Sequence, residues 1–177
     1  MRPVENKGLL IVYTGTGKGK TTAAMGMALR ALGHGLPVCL VQFIKGTWLS
    51  GELEAARRFE PLFEYHVLGQ GFTWGPGGKE QHAAMALEAW AFAEGVVREG
   101  RHRLVILDEL TYLVQYGILT EETVLDCLAG RPEGMHVVIT GRGAGRTLMD
   151  RADLVSVVCQ HKHPMTAGVS AQKGIEY

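Results

Sequence analysis

Residues Val12–Thr22 read VYTGTGKGKTT, and the chain then continues AAMGMALRAL to Leu32. An apolar β-branched run leads through closely spaced glycines into Gly19-Lys20-Thr21 and then into a helical pattern, which is the strand–loop–helix of a phosphate-binding loop. Glycines let successive backbone N–H groups of residues 15–19 turn inward around phosphate oxygens, and the helix start adds its positive dipole end. Lys20 is placed to neutralise phosphate charge, and the Thr21 hydroxyl to ligate Mg²⁺. The usual G-x-x-x-x-G-K-[ST] spacing would put glycine at position 14; here that residue is Thr14, and the first glycine is Gly15. The phosphate-binding set predicted from this stretch is Gly15, Thr16, Gly17, Lys18, Gly19, Lys20, Thr21 and Thr22.

Outward from the loop, short apolar runs alternate with helical patterns: Leu9–Tyr13, Val38–Phe43, Phe63–Leu68, Leu104–Leu107, Val137–Thr140 and Leu154–Val158. Runs apolar on both faces and separated by helices predict a parallel sheet covered on each side. We therefore expect one α/β domain over residues 1–177, a mostly parallel P-loop (RecA-like) sheet with helices on both faces. Lys79–Arg98 carries Ala83, Ala86, Leu87, Trp90, Ala93 and Val97 at helical spacing, so Trp90 reads as core. Thr120 followed by Glu121 and Glu122 reads as an N-cap for a helix that ends near Gly130.

TGTGKGKT, QFIKG, GQGFTW, DELTY and TGRGAGR each follow one of the first five strands. In an open parallel sheet these carboxyl ends share one rim, where ligands bind. RLVILDEL delivers Asp108 and Glu109 to that rim, one to bind Mg²⁺ directly and the other through water or as a supporting partner. Arg142 and Arg146 in the fifth segment, and Lys45 in the second, are candidates to grip a triphosphate; Lys162 and His163 are weaker ones. These residues alone leave open an ordinary NTPase or phosphotransferase, which would release ADP.

Composition narrows the partners. Eighteen lysines and arginines balance eighteen aspartates and glutamates, so no global basic field favours nucleic acid. The opening MRPVENKG lacks an apolar signal core and no apolar run has the roughly 18–20 residues a membrane span needs, so a cytoplasmic protein is expected. Cys39, Cys127 and Cys159 lie far apart within apolar patterns, which fits buried thiols better than disulfides or a zinc site.

The blocks VYTGTGKGKTTAA, GHG, VQFIKGTW, GFTW, LDELTY, VVITGRG and KHPMTAGVSAQKGIEY, in this order from about Gly8 to Tyr177, closely resemble the ATP:cob(I)alamin (corrinoid) adenosyltransferases of the CobA/CobO/BtuR type. The resemblance implies transfer of the 5′-deoxyadenosyl group of ATP to the Co(I) of a reduced corrinoid, with tripolyphosphate leaving. The corrinoid would be cobalamin, cobinamide or cobyrinic acid a,c-diamide. It also implies an ATP orientation reversed from that of other P-loop enzymes, Mg²⁺, a homodimer, and a flavoprotein as candidate reductant. By position, Lys20 and Thr21 match the family's phosphate lysine and Mg²⁺ hydroxyl. Glu109 matches a magnesium-associated carboxylate with Asp108 beside it, and Phe72 and Trp74 match aromatics that pack under the corrin ring and displace the lower cobalt ligand. Family members often carry a longer N-terminal extension than the seven or so residues before the first strand here. Met165 and Thr166 also stand where an aromatic and an acidic residue are expected. A non-catalytic, ATP-gated corrinoid carrier is the remaining alternative, and it would not need phosphate and Mg²⁺ groups together.

Overall fold

The structure is a computed structural model that describes residues 7–44, 51–69 and 78–176. Lys45, Phe72 and Trp74 lie outside the described residues. Among the described residues six strands form one sheet: β1 (Leu10–Thr14), β2 (Val38–Gln42), β3 (Phe63–Val67), β4 (Leu104–Asp108), β5 (His136–Thr140) and β6 (Leu154–Val157). Their order is β3-β2-β4-β5-β1-β6, and every pairing is parallel. The phosphate-loop strand β1 is thus separated from the acidic strand β4 by β5.

The continuous apolar runs divide between two faces because side chains alternate along a strand. Leu10, Val12, Cys39, Val41, Val105, Leu107, Val137 and Ile139 pack on one side with α3 (Gly78–Glu99) and α5 (Glu121–Ala129). Ile11, Val38, Leu40, Ile106 and Val138 pack on the other with α1 (Lys20–Gly33) and the end of α2 (Gly51–Ala56). Two short helices, α4 (Thr111–Gln115) and α6 (Arg146–Arg151), follow β4 and β5 and flank the carboxyl rim. The expected parallel α/β sheet with helices on both faces is the observed one. Among the described residues no helix is long and apolar enough to cross a membrane.

The helix α3 buries Ala86, Ala89, Trp90, Ala93, Val96 and Val97, whereas Leu87, expected on that stripe, is 47% exposed. At about 100° per residue Leu87 falls beyond the edge of the arc centred on Ala86 and Trp90. The burial expected for the last strand is also absent: all four residues of β6 are exposed, since this edge strand pairs only with β1. Cys159, which follows β6, is exposed as well, unlike buried Cys39 and half-buried Cys127. None of the three forms a disulfide.

Thr120 caps α5 as expected, its Oγ1 accepting the Thr123 backbone N–H at 3.1 Å. Thr120→Ala should cost about 1 kcal/mol of stability, read as a lowered urea midpoint with unchanged slope. An unchanged midpoint would show that the cap contributes nothing net.

Candidate functional site

Four strands end in a polar residue that is nevertheless buried: Thr14 on β1, Gln42 on β2, Asp108 on β4 and Thr140 on β5. A polar group in such a place must be hydrogen-bonded or its desolvation is uncompensated. Asp108, with no exposed surface, is the common acceptor. Its Oδ1 accepts the hydroxyls of Thr21 at 2.9 Å and Thr140 at 2.6 Å, and its Oδ2 accepts Gln42 Nε2 at 2.8 Å. Thr140 Oγ1 also accepts the backbone N–H of Glu109 at 2.9 Å. Thr14 Oγ1 accepts the Ala144 N–H at 3.1 Å and so holds the loop after β5.

Thr140 therefore links the buried carboxylate to the backbone of the next residue. Thr140→Val keeps the shape but removes one donor to Asp108 and the acceptor for Glu109 N–H, and should cost about 1–3 kcal/mol. Thr140→Ser should retain most of that stability in chemical denaturation. Equal losses for the two variants would mean that packing, not the hydroxyl, is what matters.

The phosphate loop is tied to the chain after β6. Gly17 N–H donates to Val158 O at 2.8 Å, and Val158 N–H donates to Thr14 O at 2.8 Å. Gly15 has φ of 102°, and a Cβ there would lie 2.4 Å from Val158 O, so this position needs glycine although it is one place later than the usual motif. Gly19, at φ 113°, caps α1 in the same left-handed region. Lys20 folds back on its own loop: Nζ donates to Gly15 O at 2.9 Å and Gly17 O at 2.6 Å. An ammonium has three N–H donors, so one remains for a ligand. Burial and Arg142 together lower the Lys20 pKa from the ordinary lysine value, against the opposing pull of Glu109 and Asp108.

A cleft of about 310 Å³ opens over this loop, lined by Thr16 to Thr22 and by Glu109, Tyr112, Thr140 and Arg142. From the chain's end Gln160, His163, Ile175 and Glu176 close it, and Lys18 pairs with the Glu176 carboxylate across its mouth. An adjoining groove of about 430 Å³ shares Thr22, Glu52, Ile175 and Glu176 and is mostly apolar, lined by Met25, Leu29 and Phe59 among others. A polar, cation-bearing cleft beside an apolar groove suits a polyanion attached to an apolar ring system.

Of the residues expected at the rim, Thr16 to Thr22, Glu109 and Arg142 line the cleft, and Gly15 supplies a carbonyl to Lys20. Asp108 lies beneath it. Arg142 is held by its backbone, its carbonyl accepting Thr111 Oγ1 at 2.7 Å. Arg146 does not join the cleft. It begins α6, is largely exposed and pairs with Asp150 at 3.4 Å, an i,i+4 pair along its own helix. His163 reaches the cleft wall, while Lys162 is exposed and absent from it. Glu109 adopts φ of 64°, the positive-φ non-glycine residue of the described chain. The roles of Gln42 and Thr140 were not anticipated from sequence, although each is a polar residue closing an apolar strand.

Residues 6–177 match the family described as ATP:corrinoid adenosyltransferase BtuR/CobO/CobP. The chain is 46% identical over 174 residues to a corrinoid adenosyltransferase of Escherichia coli (strain K12), covering 98% of this chain and 87% of that one. The same identity and coverage hold for corrinoid adenosyltransferase CobA of Salmonella typhimurium. A corrinoid adenosyltransferase of Pseudomonas aeruginosa is 43% identical over 173 residues, covering 98% of this chain and 85% of its own.

Proposed function

The chain belongs to the ATP:corrinoid adenosyltransferase family, and from that premise we infer that it transfers the 5′-deoxyadenosyl group of ATP to the Co(I) of a reduced corrinoid. The supporting observation is the cleft in which Lys20, Arg142 and the glycine-loop backbone converge beside Thr21 and Glu109. Corrinoid cobalt is the substrate nucleophile: its electron pair forms the Co–C bond to C5′ while the C5′–O bond breaks, and that pair leaves on tripolyphosphate. The protein need supply no nucleophile. Its work is to hold C5′ in line and to stabilise the charge that gathers on the departing triphosphate. Lys20, with its remaining N–H donor, and Arg142 provide that stabilisation.

The oxygen donors of Thr21, Glu109 and Asp108 are hard ligands of the kind Mg²⁺ takes alongside substrate phosphates. Thr21 and Glu109 would hold the ion, and Asp108 orients the Thr21 hydroxyl from below. When bound, Mg²⁺ supplies further neutralisation of the triphosphate. Phe72 and Trp74 are assigned to the corrin face, where they would displace the lower cobalt ligand and ease reduction to Co(I). Trp74→Ala should accordingly lose more activity with cob(II)alamin and a reducing flavoprotein than with chemically pre-reduced cob(I)alamin. Equal losses would remove that role. We extend the reading to a homodimer, for which light scattering should return twice the chain mass.

The deciding experiment is anaerobic incubation with Mg·ATP and chemically generated cob(I)alamin. Light-sensitive adenosylcobalamin with an equal amount of tripolyphosphate is expected. ADP and phosphate with unchanged corrinoid would overturn the reading in favour of an NTPase, and ATP binding without turnover would leave a carrier.

A further inference from the structure

Away from the phosphate cleft, toward the amino end of the sheet, a second group of chemically active side chains comes together. Cys39 on β2 pairs in register with Glu64 on β3, and His66 stands two residues further along β3, on the same face. Ligand atoms from these three residues lie within 4.8 Å of one another. His102, just before β4 and only 5% exposed, brings its Nε2 to 3.2 Å from Glu64 Oε1. The other oxygen, Oε2, lies 3.4 Å from His66 Nε2. The His66 ring rests against Phe92 of α3, centroids 4.7 Å apart, so the group is roofed by a helix yet reachable from the sheet edge through half-exposed Glu64 and His66.

We propose that Cys39, Glu64, His66 and His102 form a site for a borderline-soft divalent cation of the zinc type. One thiol, two imidazoles and a carboxylate are four donors of the classes Zn²⁺ takes tetrahedrally, and a thiolate selects against Mg²⁺. Donors around tetrahedral zinc stand roughly 3.3–3.8 Å apart, so the separations of up to 4.8 Å among Cys39, Glu64 and His66 require closure by about an ångström, with His102 joining through its contact to Glu64. Rotation of Glu64 and His66, both partly exposed, supplies it. A buried thiol brought into register with these groups favours an ion over a purely hydrogen-bonded cluster. His102 Nδ1 is buried without a hydrogen-bond partner among the described residues, so its ring is held only from the Glu64 side. Cys39 is a wholly buried thiol in register with Glu64. Arg101, 3.7 Å from Glu64 Oε1 and mostly exposed, is the counter-charge that the cation would replace. Binding must release the thiol proton to solvent, so affinity rises with pH. The ion would fasten edge strand β3 to β2 and to the segment leading into β4. The site stands independently of the adenosyl-transfer reading.

The test is titration of the metal-free full chain with Co²⁺, under anaerobic conditions and in excess Mg²⁺ to occupy the hard-oxygen donors. Tetrahedral visible bands and a thiolate-to-cobalt charge-transfer band should appear at one ion per chain and be displaced by Zn²⁺. Cys39→Ser should abolish the charge-transfer band, and His66→Ala should weaken binding at least tenfold. A wild-type titration without that band overturns the site, and so does a band that persists in Cys39→Ser. If Cys39→Ser fails to fold, His66→Ala decides, and unchanged affinity in that variant also overturns the proposal.

Discussion

Lys20→Ala is expected to lower kcat/KM for adenosyl transfer by about 10²–10³-fold, the usual cost of removing one preorganised donor from developing negative charge. Lys20 is half-buried in the loop and braced by the Gly15 and Gly17 carbonyls, so its ammonium is held at the proposed phosphate site before any ligand arrives. Losing two bonds from a partly exposed ammonium should cost about 1–3 kcal/mol, so turnover measured well below the melting temperature separates loss of chemistry from loss of fold. The pH profile gives a second reading. Burial and Arg142 lower the Lys20 pKa, and only the protonated form can neutralise phosphate. As pH rises, the free enzyme should lose kcat/KM sooner than an ordinary lysine with a pKa of about 10.4 would allow. In Lys20→Ala that alkaline limb should vanish. Near-normal turnover in the variant would remove Lys20 from the site.

Asp108→Asn should be the most destabilising single change at the rim. The wild-type carboxylate accepts from three donors with no exposed surface. An asparagine retains one acceptor oxygen and turns its amide N–H groups toward one of those donors. Charged-acceptor bonds contribute about 1.5–3 kcal/mol each, so a loss of about 3 kcal/mol is expected. For a chain of this size that corresponds to a fall in Tm of roughly 6–12 °C. Mg²⁺-dependent ATP binding should weaken as well, because Thr21 loses the partner that aims its hydroxyl. A reciprocal pair, Asp108→Asn with Gln42→Glu, restores complementary donors and acceptors between β2 and β4 and should recover part of the Tm. If the double variant is no more stable than the single one, the Gln42–Asp108 bond does not carry the effect.

The fold was legible because the strands are apolar on both faces and the phosphate loop announces a turn between strand and helix. Much of the site was legible for the same reason: carboxyl ends of parallel strands share a rim, so loop chemistry could be assigned to one place. What escaped was the division of labour within LDEL. Sequence places Asp108 and Glu109 side by side, but the last residue of a central strand points inward while the next leaves the sheet. Asp108 thus becomes a buried acceptor and Glu109 a wall of the cleft. The strand endings LIVYT, VCLVQ, LVILD and HVVIT held the missing signal, since a polar residue closing each buried run needs a partner at the same height in its neighbour. Arg146 pairs instead with Asp150, one helical turn away on its own exposed helix, and does not line the cleft. Leu87 and β6 failed because periodicity reports which residues are apolar and not how far the covering layer extends.

Glu109 occupies a left-handed backbone conformation that costs a non-glycine residue about 1–2 kcal/mol. Glycine at 109 would relieve that cost and keep the N–H bond to Thr140 while deleting the carboxylate. On the proposed role of Glu109 in holding Mg²⁺, a library of variants screened for heat resistance alone would therefore enrich this position in glycine and return robust but inactive clones. Under that proposal directed evolution of this enzyme has to select on turnover, because at residue 109 durability and catalysis would pull in opposite directions.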